Sequence, residues 1–478
     1  MIPLPPPFSS ASARDLFALA DALAAIWVTG HALLTKRDVR AAIGWIGLAW
    51  LSPFVGPVLY CLFGINRVSR RASRLTARTA PYERPAMGAP LPDLPEHIAA
   101  IAGVGDRLTG RPLLPGNGFA LYRSGDEAYP AMLEAIRRAE RSVALASYIF
   151  RADRVGAAFI DALAAAQARG VEIRVLIDGI GSGYLFSSAA RALGRRGIKF
   201  ARFMHHWLPW RMPFLNMRNH KKLLVVDGRI GFTGGLNLGA ENLRRLRPPR
   251  PVEDVQFRID GPAVALLMLT FAEDWSFTTG EVLAGEAWWP AIAPAGRVWA
   301  RGVGSGPDED LGKLASLLAT AVTVAKRRLR IVTPYFLPEL PLMAAIVLAA
   351  LRGVAVEIVL PERSDHRPLD WAMRAHLAFF AVPGMTIHLT GAPFDHSKLA
   401  TVDGAWCMLG SANWDARSLR LNFEFTLECY DSAMVETIDR LIDEKIARGR
   451  VLSPADLAAR HPLFRLRDAA ARLLLPYL

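Results

Sequence analysis

The stretch NHKKLLVVDGRIGFTGGLN, Asn219–Asn237, shares one spacing with DHSKLATVDGAWCMLGSAN, Asp395–Asn413. In each, His is followed at the second position by Lys, then by four residues and Asp. A pair of small residues comes later, with Asn at the second position after it. The first copy supplies His220, Lys222, Asp227 and Asn237; the second supplies His396, Lys398, Asp403 and Asn413. Both copies open polar, run apolar and turn through Asp-Gly, as a buried strand entering a tight turn does.

Working outward, the surroundings of the two copies also repeat. SVALASYIF at Ser142 reads as a buried strand, the run from Gly156 to Gly170 as a helix, and VEIRVLIDG from Val171 as another strand. LRIVTPYFL at Leu329, LMAAIVLAALRG and VAVEIVLPE repeat that succession before the second His-x-Lys stretch. The chain therefore contains an internal duplication, and strands alternating with helices predict an α/β layered fold in each half. The expected boundaries are 1–71 for a membrane-anchoring region, 72–100 for a Pro-rich linker, 101–290 and 291–450 for the two halves, and 451–478 for a basic, apolar tail. A duplicated α/β unit pairing about a pseudo-twofold axis would bring both His-x-Lys motifs to one cleft.

The chemistry follows from the residue types. Positions i and i+2 of a strand share a face, so His220 projects with Lys222 and His396 with Lys398. A neutral imidazole is a nucleophile, and an ammonium is a point charge for a phosphate oxygen. Two such pairs across a cleft supply a nucleophile, a proton donor and two cations, with Asn237 and Asn413 adding amide donors. That set suits phosphodiester cleavage through a phosphohistidine, the second His serving first as acid and then as base. The scheme needs no metal and no cofactor. A single His-x-Lys-x4-Asp is weak evidence, but two copies at matching places of a duplication are not explained by packing.

At 478 residues and a formal charge of +13, the chain has room for about three domains and favours an anionic partner. Its cysteines, Cys61, Cys407 and Cys429, form neither a disulfide framework nor a C-x-x-C zinc pair. Two apolar segments open the sequence. Ala41–Phe63 carries no charge and is the stronger membrane span, with Pro53 and Pro57 able to bend it. Leu16–Leu34 is the weaker, because Asp21 interrupts it at a cost of about 2.5–3.5 kcal/mol at the bilayer centre. Arg67, Arg70, Arg71, Arg74 and Arg78 favour a cytoplasmic start to the soluble part, while Lys36, Arg37 and Arg40 oppose it.

Taken with their flanks, the two motifs resemble the signature of the phospholipase D superfamily, and the bacterial cardiolipin synthases in particular. The resemblance runs through YCLFGINRVSRRA, SYIFRAD, VLIDGIGS, RNHKKLLVVDG, TPYFLPE and GSANWDARSLRLNFE. It implies two α/β/α sandwich domains behind N-terminal transmembrane helices, in the inner membrane of a bacterium. It also implies transfer of a phosphatidyl group between phosphatidylglycerols, with anionic phospholipid and membrane rather than nucleic acid as partners.

Carried over by position, His220 is the nucleophile and His396 the acid and base. Lys222, Lys398, Asn237, Asn413 and Ser411 then hold phosphate. Asp227 and Asp403 complete the motifs, although their place after the strand fits turn-holding better than proton transfer. Glu424 matches the acid that orients a catalytic His. Two departures stand out: Gly235 occupies the place of Ser411, and Gln256 stands where relatives often carry His. Hydrolysis to phosphatidic acid, a nucleic-acid phosphodiesterase and a lipid-binding scaffold are the rival readings. Trp207, Trp210 and Phe214, just before the first motif, are candidates for an interfacial loop.

Overall fold

The computed structural model describes residues 10–36, 39–65, 93–208, 217–307, 310–453, 455–456 and 459–473. Arg37, the arginines from Arg67 to Arg78, Trp210, Phe214 and most of the Pro-rich linker lie outside the described residues. The chain divides into a small unit, residues 1–71 with 209–213, and a large one containing both motifs.

In the small unit the order of the two apolar segments is reversed from the sequence expectation. The segment with Asp21 forms one continuous helix, Ser10–Thr35. Its 22 residues from Arg14 to Thr35 are long and apolar enough to cross a membrane. The uncharged segment is broken instead: helix Val39–Leu51 spans 13 residues, about 20 Å at 1.5 Å per residue and short of a bilayer core. Pro53 has no N–H to continue the ladder, and Phe54 turns to φ 58° before Val55–Leu59 and a π-helical turn at Tyr60–Gly64. Asp21 closes the break, its Oδ1 accepting the Phe54 N–H at 2.7 Å. A carboxylate that reads as a liability in the first segment thus satisfies a backbone donor exposed by the second.

The large unit is built on one sheet of 15 strands. In chain order the first-half strands are β1 (Leu114–Tyr122), β2 (Ser142–Ser147), β3 (Glu172–Asp178), β4 (Phe200–Phe203), β5 (Leu223–Val226), β6 (Ile230–Gly234) and β7 (Gln256–Asp260). The second half supplies β8 (Val298–Ser305), β9 (Arg328–Val332), β10 (Ala355–Pro361), β11 (Met385–Thr390), β12 (Leu399–Val402), β13 (Trp406–Gly410), β14 (Glu424–Tyr430) and β15 (Gly449–Val451).

Across the sheet the order is β15-β11-β10-β9-β12-β13-β14-β8-β1-β7-β6-β5-β2-β3-β4. Leaving out the edge strand β15, it mirrors itself about the antiparallel β8–β1 junction, where Leu114 faces Ala300. That mirror order is the duplication in topological form. In the first half, helices Gly125–Arg138, Arg154–Ala168 and Ser188–Arg195 join one apolar core through Ile136, Phe159, Leu163 and Leu193 with Val143, Val175 and Phe232. Helix Val264–Thr279, buried almost throughout, packs against β2, β4, β5 and β6. A second core gathers Leu317, Ile346, Ile358, Met408 and Trp414 in the other half.

Candidate active site

Each His-x-Lys stretch leads into a hairpin strand, β5 or β12, and alternation sorts its side chains. Asn219 and Lys221 face one way and share Asp274, through Asn219 Nδ2 at 2.8 Å and Lys221 Nζ at 2.8 Å. In the second half Asp395 and Ser397 take that role, and buried Lys445 donates to Asp395 Oδ2 at 2.7 Å and Glu253 Oε1 at 2.9 Å. These buried polar clusters fix the register. By alternation they send His220 with Lys222, and His396 with Lys398, to the opposite face.

There the two imidazoles meet, their ring centroids 6.3 Å apart and their planes at 81°. Each ring is held from behind by a carboxylate of the other half. Glu424 Oε2 lies 3.0 Å from His220 Nδ1, and Asp254 Oδ2 lies 2.7 Å from His396 Nδ1. A carboxylate at Nδ1 keeps the proton there and leaves the Nε2 lone pair for chemistry. Ser411 Oγ donates to the same Glu424 oxygen at 2.6 Å, and Asn422 Nδ2 donates to the other at 3.2 Å. Tyr148 packs edge-on to His220 at 4.8 Å, and Tyr335 stands at 6.5 Å from His396.

Burial sets the electrostatics. Desolvation lowers the His220 imidazole to about 4, with Lys222 adding to the effect and Glu424 opposing it. His396 is pushed down by burial and by Lys398, against Asp254. The Lys222 ammonium falls to about 7 and Lys398 to about 8, in both cases chiefly through desolvation. Burial acts to raise Glu424, yet His220 and Lys222 outweigh it and hold the carboxyl below its usual range. The cleft thus presents two neutral rings and cations whose charged state gains from an incoming anion.

The remaining sequence candidates divide. Asn237 Oδ1 accepts the Ile149 N–H at 3.2 Å, while Asn413 Oδ1 is buried with no hydrogen-bond partner among the described residues. Asp227 and Asp403 do not join the rings. They sit in the hairpin turns at the other end of β5 and β12, about 20 Å along the strand by its rise per residue. Asp227 Oδ1 accepts backbone N–H groups of Arg141 at 2.7 Å and Ser142 at 2.9 Å. Asp403 accepts those of Lys326, Arg327 and Arg328, each at 2.8 Å. A catalytic part for either carboxylate is corrected accordingly: both hold turns.

Asp254 is the residue that sequence reasoning passed over. Its equivalence to Glu424 follows from the sheet, where Gly234 pairs with Gln256 as Gly410 pairs with Thr426, each acid lying two residues earlier. The longer first-half loop RRLRPPRP offsets the two acids in sequence and hides the match. The Gly235 departure also has a cause. A Cβ built there would lie 2.2 Å from Asp254 Oδ1, so the place of the Ser411 side chain is taken by the carboxylate itself.

The sequence matches the family model described as "Cardiolipin synthase, PLD-like domain" over residues 132–275 and 318–446. The chain is 30% identical to a cardiolipin synthase of Geobacillus thermodenitrificans, over 97% of this chain and 94% of the relative. It is 32% identical to cardiolipin synthase A of Pseudomonas fluorescens, over 94% of this chain and 95% of the relative. Among solved structures, a phosphatidylserine synthase of Haemophilus influenzae superposes with a TM-score of 0.61 at 15% identity, covering 80% of this chain and 100% of that one. That last likeness is one of fold.

Proposed function

The chain belongs to the cardiolipin synthase family of phospholipase D-like proteins, and from that premise we propose a phosphatidyltransferase that moves a phosphatidyl group from one phosphatidylglycerol to a hydroxyl of a second. His220 Nε2 attacks the donor phosphorus while the P–O bond to glycerol breaks. His396, protonated at Nε2, gives that proton to the departing glycerol oxygen. The product is a phosphatidyl group on His220. His396 then takes the proton from the acceptor hydroxyl, whose oxygen displaces His220, and cardiolipin forms with both rings restored. Lys222 and Lys398, with Asn237 and Asn413, stabilise the charge gathered on the non-bridging oxygens.

The observation that carries this reading is the pair of rings 6.3 Å apart, each backed by a carboxylate from the opposite half. Low imidazole pKa values favour His220 as a nucleophile. The bound phosphodiester anion raises His396 and supplies its proton affinity. Helix Arg14–Thr35 anchors the enzyme in a bacterial inner membrane, the broken second segment enters beside it, and the catalytic halves face the cytoplasm.

Purified protein offered labelled phosphatidylglycerol should release glycerol and form cardiolipin. His220→Ala or His396→Ala should lower turnover by at least about 10²-fold with the melting temperature retained. Full activity in either variant refutes the assignment. A transient acid-labile adduct should map to His220, and mapping to His396 reverses the order of roles.

A further inference from the structure

The second half carries more apolar surface on its outer helices than its packing uses. Helix Leu340–Leu351, LPLMAAIVLAAL, has no polar side chain in its 12 residues. Its inner stripe, Leu342, Ile346, Ala349 and Ala350, is buried. Leu340, Ala344, Leu348 and Leu351 form an outer stripe that is open to solvent, with Leu348 55% exposed. A surface helix ordinarily turns polar residues that way. The duplication supplies a comparison. Aligned on the Arg-Gly that follows each helix, the same positions of helix Arg154–Ala168 are Ala157, Asp161, Ala165 and Ala168, all exposed. Asp161 there pairs with Arg196 at 2.5 Å. Packing on the sheet therefore does not ask for leucines at these places.

The C-terminal helix, Pro462–Arg472, is turned the same way. Its buried positions are Asp468 and Ala471. Asp468 is held by Arg467 at 2.7 Å and by Arg460 at 3.0 Å. Leu463, Leu466 and, just beyond the helix, Leu473 are exposed, at 67%, 68% and 77%. A helix that buries its acid and exposes its leucines is inverted relative to one that faces water.

The two stripes belong to one outer layer. β9, β10 and β11 are parallel neighbours in that order, so right-handed crossovers put helices Leu340–Leu351 and Arg367–Leu377 on one face of the sheet. The C-terminal helix packs on the second of these, Arg467 lying over Trp371 at 4.4 Å. From there the chain runs through Phe379, exposed beside Arg472 at 5.0 Å, to Gly384, where a Cβ would lie 2.8 Å from the Ala350 carbonyl oxygen.

The free charge on this layer is basic. Arg367, Arg374, Arg465 and Arg472 make no ion pair among the described residues. The acids of the same two helices, Asp370 and Asp468, are buried and already bonded. Apolar stripes flanked by unpaired arginines match the boundary between acyl chains and anionic headgroups. A second copy docked on this face about a twofold axis would set arginines against arginines. At about 18 Å, helix Leu340–Leu351 is too short to cross a bilayer, and its inner stripe is taken by the core, so it suits lying along the surface. We infer that this outer layer, through Leu340, Leu348 and Leu351 on one helix and Leu463, Leu466 and Leu473 at the other, is a docking face for an anionic phospholipid leaflet. Docking is independent of the reaction in the cleft.

The test uses full-length protein in vesicles whose lipids carry bromine high on the acyl chains. An environment-sensitive dye is attached through Leu348→Cys, Leu466→Cys or, as the duplicated control, Ala165→Cys. Each is made with Cys61→Ser, because Cys407 and Cys429 are buried. In phosphatidylglycerol-rich vesicles both leucine-site dyes should be quenched about twofold or more, as an interfacial helix sinks about 5–10 Å into the boundary, and the Ala165→Cys dye should not be. Arg465→Glu with Arg472→Glu should cut that quenching about twofold or more. Quenching at neither leucine site, or equal quenching at Ala165→Cys, overturns the docking face. So does equal quenching in phosphatidylcholine alone. Dye shielding that instead rises with protein concentration in detergent, without quenching by lipid, gives the face to a second copy and refutes the leaflet. Melting curves identify any variant that fails to fold, and the other leucine site then decides.

Discussion

His220 is buried, and its ring is neutral well below neutral pH because desolvation outweighs the pull of Glu424. The sign for stability follows. The folded value of about 4 lies below the ordinary imidazole value of 6.5, so the unfolded chain binds more protons between those pH values. The stabilisation is therefore fully present above pH 6.5 and is lost as pH falls toward 4, amounting to about 3 kcal/mol. His220→Asn should melt with a shallower acid dependence across that window, read by thermal unfolding from pH 7 to 4. An unchanged slope would mean the ring is not desolvated.

Gly235 offers a second check at the same scale. Gly235→Ala places a methyl group against the Asp254 carboxylate, so His396 loses the acceptor that fixes its tautomer. Activity should drop about 10–100-fold, by the usual effect of disturbing such an outer partner, with little change in substrate binding. Both rings and lysines were legible as residues because the motif repeats. Asp254 was not, since its partnership depends on a β6–β7 register and a crossing between halves that no local pattern encodes.

The hairpin turn is the element that the motif aspartates serve. Asp227 and Asp403 adopt φ 52° and 51°, followed by Gly228 and Gly404 at 61° and 72°, as the central pair of a β-turn closed by Arg229 N–H to Val226 O at 3.0 Å and Ala405 N–H to Val402 O at 3.1 Å. Asp403→Ala leaves three backbone N–H donors without their acceptor and forces alanine into the left-handed region. Stability should fall by about 3 kcal/mol, seen as a lower denaturant midpoint, while the folded fraction retains turnover within a few-fold. A collapse of turnover at unchanged stability would return Asp403 to the chemistry. Helix integrity was harder to read than the turns. Hydropathy favoured Ala41–Phe63 because it carries no charge, yet continuity depends on backbone donors, and Pro53 interrupts them where Asp21 can answer.

At the scale of the whole molecule the two halves share a sheet, and the β14–β8–β1 junction is where they are joined. The duplication was visible in sequence; the joint was not, because strand pairing between distant segments leaves no periodic trace. Arg301 on β8 stands directly opposite Glu428 on β14 and is wholly buried. Its Nε donates to Glu428 Oε1 at 2.5 Å, its Nη2 to the Ala102 carbonyl at 2.8 Å, and its Nη1 to Asp106. Glu428 also accepts from Tyr430 Oη at 2.8 Å and Trp406 Nε1 at 3.2 Å. Removing the guanidinium alone strands a buried carboxylate, so Arg301→Met should cost about 3–5 kcal/mol. Adding Glu428→Leu removes the stranded charge, and the double variant should be more stable than Arg301→Met. Because the sheet is continuous through this pair, probes placed in either half should report one unfolding transition, shifted together by Arg301→Met. Two separate transitions, or strictly additive losses, would show the halves folding as independent bodies, and the crossed His–carboxylate pairs would then have to form only after docking.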